Sequence, residues 1–171
     1  MKLLTDWGFT REGWRDNQHG EYLVVLQGVL VIGFTLLPVY RPIDWSLHSL
    51  TGLYILWGFA GVLGLEASIL FLKGFFDLGN NLTPLPYPRE DGCLVQSGVY
   101  RVVRHPIYSG LILAALSWSL LQMSVSHLVG TALLFAFFDF KANREEAWLT
   151  QKYPDYSHYQ QQVKKLLPGL Y

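Results

Sequence analysis

Residues 22–40 read YLVVLQGVLVIGFTLLPVY, 19 positions without a charge. A helix of about that length is what crosses ~30 Å of hydrocarbon. A second run, 47–72, contains Glu66 as its one charged residue. Two further apolar runs, 106–123 and 126–140, are separated only by Ser124 and Val125, the spacing of an antiparallel hairpin. The expected fold is an all-α integral membrane protein with about four transmembrane helices, the last two a tight hairpin.

Charge decides how these helices should be oriented. The chain of 171 residues carries 13 Lys+Arg and 13 Asp+Glu, a net charge of +0 that excludes a basic nucleic-acid binder. With the amino terminus taken as cytoplasmic, 12 of the 13 cations fall on that side and Arg41 alone on the other. The positive-inside rule then selects a multi-pass protein with four crossings and both termini in the cytoplasm. Residues 1–21 hold Asp6, Arg11, Glu12, Arg15, Asp16 and Glu21, too long and too acidic a segment for a signal-peptide start. Trp7, Phe9 and Trp14 suit the headgroup level.

One domain, 1–171, accounts for this pattern: a cytoplasmic or interfacial start (1–21), two transmembrane helices (22–72), a cytoplasmic loop (73–105), the hairpin (106–140) and a cytoplasmic C-terminal segment with a helix (141–171). Cys93 stands alone, which rules out a disulfide framework and a Cys-rich zinc site. His48 and His127 sit at the far boundary, and no His spacing suggests a metal. Glu66, two turns before Lys73, reads as a carboxylate near the cytoplasmic interface.

The loop 73–105 holds Pro84, Pro86 and Pro88 at alternate positions and Gly79, Gly92 and Gly98 between them, the composition of an ordered cover. It ends in Arg104-His105-Pro106-Ile107-Tyr108-Ser109-Gly110. Pro106 suits the first turn of a helix, so Arg104 and His105 stand at a helix entrance, where free N–H groups and the dipole favour an anion. A carboxylate, phosphate or lipid headgroup would satisfy this site equally. On the last helix Asp139, Asn143 and Glu146 share one stripe, while Lys141 and Glu145 can pair on another. A cationic entrance thus faces acids on the neighbouring helix. The pair can hold a zwitterion, or close as a salt bridge from Arg104 to Glu145 or Glu146.

Leu94-Val95-Gln96-Ser97-Gly98-Val99-Tyr100, the Arg104 to Gly110 segment, Arg144-Glu145-Glu146 and the ending from Tyr153 resemble the isoprenylcysteine carboxyl methyltransferase family, whose wider membership includes phospholipid methyltransferase-like proteins. The likeness is strongest over 78–171. It implies a cytoplasmic site for S-adenosyl-L-methionine and an acceptor that arrives from the bilayer. By motif, Leu94, Val95, Gly98, Val99 and Tyr100 would line the adenosine side, and His105 and Tyr108 would hold the cofactor. Glu145 or Glu146 would take its amino group, with Glu145 also counted, beside Arg104, as catalytic. Arg104 would orient the methyl acceptor.

The implied activity is methyl transfer to a lipid-like or isoprenoid-bearing acceptor, a carboxylate among the options. The expected partners are an amphipathic small-molecule or lipid substrate and membrane lipids, with no nucleic acid and no oligomeric state set. Two competing functions are an NADPH-dependent reductase of the sterol-reductase type and a non-catalytic membrane protein. The first sits poorly with Asp77, Glu90 and Asp91, which offset Lys73 and Arg89 in the loop.

Overall fold

The computed structural model describes residues 11–42 and 50–171. Trp7, Phe9, His48 and the start of the second apolar run lie outside the described residues. Among the described residues six α-helices follow in order: α1 (Arg11–Asp16), α2 (Glu21–Thr35), α3 (Leu50–Leu78), α4 (Pro106–Leu121), α5 (Val125–Lys152) and α6 (Tyr156–Gln162). Short 3₁₀ turns occupy Gly79–Asn81 and Gly98–Arg101. Among the described residues there is no strand, only one parallel bridge between Val103 and Lys164.

The apolar runs become helices, but three of their ends differ from the sequence expectation. The first helix stops at Thr35 instead of 40, because Pro38 offers no N–H and disfavours helical backbone at the residue before it. Residues 36–42 continue without helix and dock on the α4–α5 turn, where Val125 N donates to Tyr40 O at 3.0 Å and Arg41 Nε to Gln122 O at 2.7 Å. The second helix runs on past Lys73 to Leu78 and ends only at Gly79, whose φ is +52°. Residues 73–78 are therefore helix and not loop. Glu66 accordingly lies about 18 Å of helix before the end of α3. The last helix is continuous from Val125 to Lys152, so the polar stretch after Phe140 extends the same rod.

Close packing of α3 on α4 depends on two glycines. A Cβ on Gly110 would stand 2.8 Å from Ala67 O, and one on Gly74 would stand 2.9 Å from Pro106 Cγ. Helix α4 turns back at Met123, in the left-handed region at φ 48°, and Ser124 caps α5 by accepting from His127 N. Ser119 meets Thr131, Tyr108 stacks on Phe138, and His105 meets Glu146. That reversed order of partners makes α4 and α5 antiparallel neighbours. The main apolar cluster, with Phe34, Ile112, Leu134, Phe138 and Leu166 buried, lies between α2, α4, α5 and the C-terminal segment.

The outside of this bundle is apolar. Leu50–Asn81 and Val125–Lys152 are long and apolar enough to cross a membrane, and Glu21–Thr35 and Pro106–Leu121 are shorter apolar helices. Only 17% of the Leu50–Asn81 apolar window is buried, and Ile55, Phe59, Val62, Leu65 and Phe76 all face outward. Such a surface is unfavourable in water and is satisfied by lipid.

Candidate active site

The polar end of the bundle is assembled by long-range backbone bonds. Arg104 N donates to Lys164 O at 2.8 Å and His105 N to Lys165 O at 3.1 Å, so the C-terminal segment lies alongside the entrance of α4. On the other side the unexpected last turns of α3 hold the Gly98–Arg101 turn. Asp77 Oδ2 accepts from Val99 N at 2.9 Å, and Tyr100 OH donates to Gly74 O at 3.2 Å. Gly98 has φ +59°, and a Cβ there would lie 2.0 Å from Asp77 Oδ2. A glycine is required on both counts.

These supports enclose a cavity of about 420 Å³, within the range of small-molecule sites. Its walls come from the ends of α3 and α4, the proline-rich loop, α5 and α6, with Gln27 reaching in from α2. Of the residues singled out from the sequence, Leu94, Val95, Tyr100, Arg104, His105, Tyr108 and Glu145 line it. Gly98, Val99 and Glu146 do not. Val99 is buried behind the wall, and Gly98 serves the close approach to Asp77.

The adjacent glutamates differ because successive helix positions are rotated by about 100°. Glu146 is the centre of a buried knot: Oε1 takes Arg104 Nε at 2.7 Å and lies 3.0 Å from His105 Nε2, while Oε2 takes Gln160 Nε2 at 2.9 Å. Arg104 also donates through Nη1 to Gln160 O at 3.0 Å and to Val163 O. Both side chains are under a tenth exposed, so removing one would strand the other charge. Glu145 instead faces the cavity with its side chain 26% exposed. Its Oε2 accepts from Tyr108 OH at 2.8 Å, and among the described residues Oε1 has no hydrogen-bond donor. The Tyr108 ring is nearly parallel to His105, with centroids 5.4 Å apart.

The stripe expected from Asp139 through Asn143 to Glu146 divides. Asp139 and Asn143 hold Lys165, with Nζ 2.9 Å from Asn143 Oδ1, and only Glu146 turns to Arg104. The expected pairing of Lys141 with Glu145 is replaced: Lys141 donates to Gln27 Oε1 at 2.6 Å and to Pro84 O at 3.2 Å.

Several lining residues escaped the sequence reading. Tyr153, Tyr156 and Tyr159, three apart at the start of the C-terminal segment, all line the cavity, and that regular aromatic spacing was the available signal. Burial pushes the phenols of Tyr100, Tyr156 and Tyr159 far above their ordinary value. They stay protonated: Tyr100 donates to Gly74 O and Tyr159 to Tyr100 O. Tyr156 is 1% exposed, and its hydroxyl is buried without a partner among the described residues. Orphaned buried hydroxyls are uncommon and call for an explanation.

Residues 55–156 match the family model described as phospholipid methyltransferase. The chain belongs to that family. It is 28% identical over 162 residues to a methanethiol S-methyltransferase of Pseudomonas deceptionensis, covering 90% of this chain and 60% of that protein. It is 26% identical over 133 residues to a protein-S-isoprenylcysteine O-methyltransferase of Dictyostelium discoideum, covering 75% of this chain and 56% of the other. With the enzyme of the same name from Schizosaccharomyces pombe it shares 37% identity over 82 residues, 47% of this chain and 34% of that one. The chain thus spans little more than half the length of the first two relatives. The family relationship and the apolar exterior together support a membrane protein akin to isoprenylcysteine methyltransferases.

Proposed function

We propose that this chain is an integral-membrane methyltransferase that uses S-adenosyl-L-methionine to methylate a lipid-like or isoprenoid-bearing acceptor. The observation that carries the reading is a cavity at the polar end of an apolar bundle that offers a carboxylate oxygen and a buried hydroxyl, both without partners among the described residues. The donor set fits an amino-acid-bearing cofactor: Glu145 would take the amino group, and Tyr156 would donate to an oxygen of the ligand. Leu94, Val95 and Tyr100 supply apolar and aromatic surface for an adenosine. His105 and Tyr108 would complete the wall, with Gly98, Val99 and Glu146 acting from behind it.

When bound, S-adenosyl-L-methionine supplies a methyl group on a positively charged sulfur, already activated for displacement. The residues of the chain then need to align the acceptor and keep water out. Arg104 uses Nε and Nη1 in the Glu146 knot, which leaves Nη2 to orient the acceptor. The proline-rich loop covers the cavity: Pro86 is fully buried, and Gly20 packs against it closely enough that a Cβ would lie 2.5 Å from Pro86 Cγ.

The same reading includes four crossings with both termini cytoplasmic. Helix α2 has 15 residues and α4 has 16, about 22 and 24 Å of rod. The non-helical 36–42 segment extends the first crossing, and its backbone is partly satisfied by Val125 N, which donates to Tyr40 O, and by Ser126 Oγ, which accepts from Tyr40 N and donates to Pro38 O.

Thermal unfolding of the detergent-purified protein tests the cofactor. S-adenosylhomocysteine should raise the midpoint and NADPH should not. Stabilisation by NADPH alone would replace the methyltransferase with a reductase. A labelled-methyl screen over lipid extracts then identifies the acceptor.

A further inference from the structure

Among the described residues two cations with largely buried side chains line the cavity, and only one of the two touches a carboxylate. Arg104 is paired with Glu146. Lys141 is 1% exposed, and its hydrogen-bond partners among the described residues are the Gln27 amide oxygen and the Pro84 carbonyl, both uncharged. Its ammonium lies 5.3 Å from the centre of the Tyr108 ring, and Glu145 is one turn further along α5. Lys141 and Gln27 are both wall residues. Two of the three ammonium protons are engaged, which leaves one donor free. Buried charges are ordinarily paired, and among the described residues no carboxylate touches this ammonium: Glu145 acts on it only at longer range and is bonded to Tyr108.

We infer that Lys141 selects the methyl acceptor: the acceptor enters as an anion, a carboxylate or a thiolate, and an amine headgroup is turned away. This inference rests on the methyltransferase reading. It also explains how a site for a sulfonium can contain a second uncompensated positive charge. An acceptor anion placed between the two cations lowers their repulsion and cancels one of the two charges, and after transfer the lysine's charge alone remains. The acceptor's lone pair forms the new C–O or C–S bond, the methyl–sulfur bond breaks, and its electron pair stays on sulfur. An anion and a cation become two neutral products. A carboxylate needs no base, and a thiol gives its proton to solvent before transfer, favoured by the adjacent ammonium. A protonated amine brings a third positive charge into the cavity, and a neutral one gains nothing from the lysine. The family description names phospholipids and the relatives act on a thiol or a prenylcysteine by name. Lys141 places this chain with the latter chemistry.

Calorimetry in detergent with N-acetyl-S-farnesylcysteine and its carboxamide, S-adenosylhomocysteine being present, reads the selection without turnover. The wild type should prefer the acid by roughly tenfold or more, as expected for a charge-assisted hydrogen bond. Lys141→Met should abolish the preference and Lys141→Arg should keep it. Gln27→Glu should also abolish it with the lysine still present, by supplying an internal anion. S-adenosylhomocysteine affinity, measured on each variant, confirms that the site is intact. Turnover arms with dodecanethiol, N-acetyl-S-farnesylcysteine and dioleoylphosphatidylethanolamine distinguish thiolate, carboxylate and amine acceptors. Equal affinity of the wild type for acid and amide, a preference that survives Lys141→Met, or methylation of the amine alone would overturn the inference. Absence of any S-adenosylhomocysteine binding to the wild type would instead overturn the cofactor reading.

Discussion

Arg104 and Lys141 meet the same cavity in opposite electrostatic conditions. The Arg104 region is closed on itself, with a guanidinium, a carboxylate, an imidazole and an amide joined through Glu146. The Lys141 region is open, with a buried ammonium on two neutral oxygens. The first holds three chain segments together, and the second holds a charge ready for something else. Their difference separates residues whose loss should unfold the site from residues whose loss should change what it binds.

The sharpest way to break this comparison is Glu146→Gln. It strands the Arg104 guanidinium in a nearly closed environment, for which a loss of about 3–5 kcal/mol is typical. Denaturant unfolding in detergent should show the loss without any ligand. A variant of ordinary stability with weak cofactor binding would move Glu146 from the support to the binding surface.

Next in size is Glu145→Gln, which should leave unfolding nearly unchanged and weaken S-adenosylhomocysteine. Loss of one charge-assisted hydrogen bond corresponds to about 1.5–3 kcal/mol, or roughly ten- to more than hundredfold in affinity. Calorimetry of the two glutamate variants side by side measures whether neighbours in sequence differ in role. Equal losses of stability would merge the two regions into one network.

The sequence made some of this visible, for reasons that differ from residue to residue. The apolar runs located the helices, since hydropathy acts over many residues. It located their ends less well: Lys73 and Asp77 resembled an exit from the membrane, yet the helix continues until Gly79 supplies a positive φ. That continuation matters because Asp77 anchors Val99. The Arg104-His105-Pro106 entrance was legible because Pro106 marks a helix start. The division of labour between Glu145 and Glu146 was not, because it depends on how α5 is rotated against α4. Lys141 was harder still: its partners Gln27 and Pro84 are 114 and 57 positions away, and no local pattern signals such a contact.

A smaller effect is expected from Tyr156→Phe. The hydroxyl has no partner among the described residues, so its removal should leave stability unchanged or slightly raised. If it donates to the ligand, affinity for S-adenosylhomocysteine should fall by about 0.5–1.5 kcal/mol, roughly two- to tenfold. Titration calorimetry measures that fall. A variant with lower stability and full affinity would make Tyr156 another member of the closed region.

The smallest effect belongs to Lys165, which ties the C-terminal segment to α5 at the edge of both regions through Asp139, Asn143 and Tyr171. Burial acts to lower its pKa, but hydrogen bonds to Asp139 and Tyr171, with the charge of Asp139, together raise it above its ordinary value. The Lys165 side chain is 11% exposed and that of Asp139 25%, so water still reaches the pair, and Lys165→Met should cost about 1 kcal/mol at most, the upper end for a screened pair. A lysine whose value is raised by folding contributes fully below its ordinary value, and the contribution disappears as pH rises through the higher folded value. The difference between wild type and variant should therefore be constant from neutral pH to about pH 10 and decline only above that. Unfolding midpoints across that range provide the measurement. A difference that already vanishes near pH 8 would mean that the ammonium gains no net stabilisation from Asp139, and that the backbone bonds at Arg104 and His105 alone seat this segment beside the cavity.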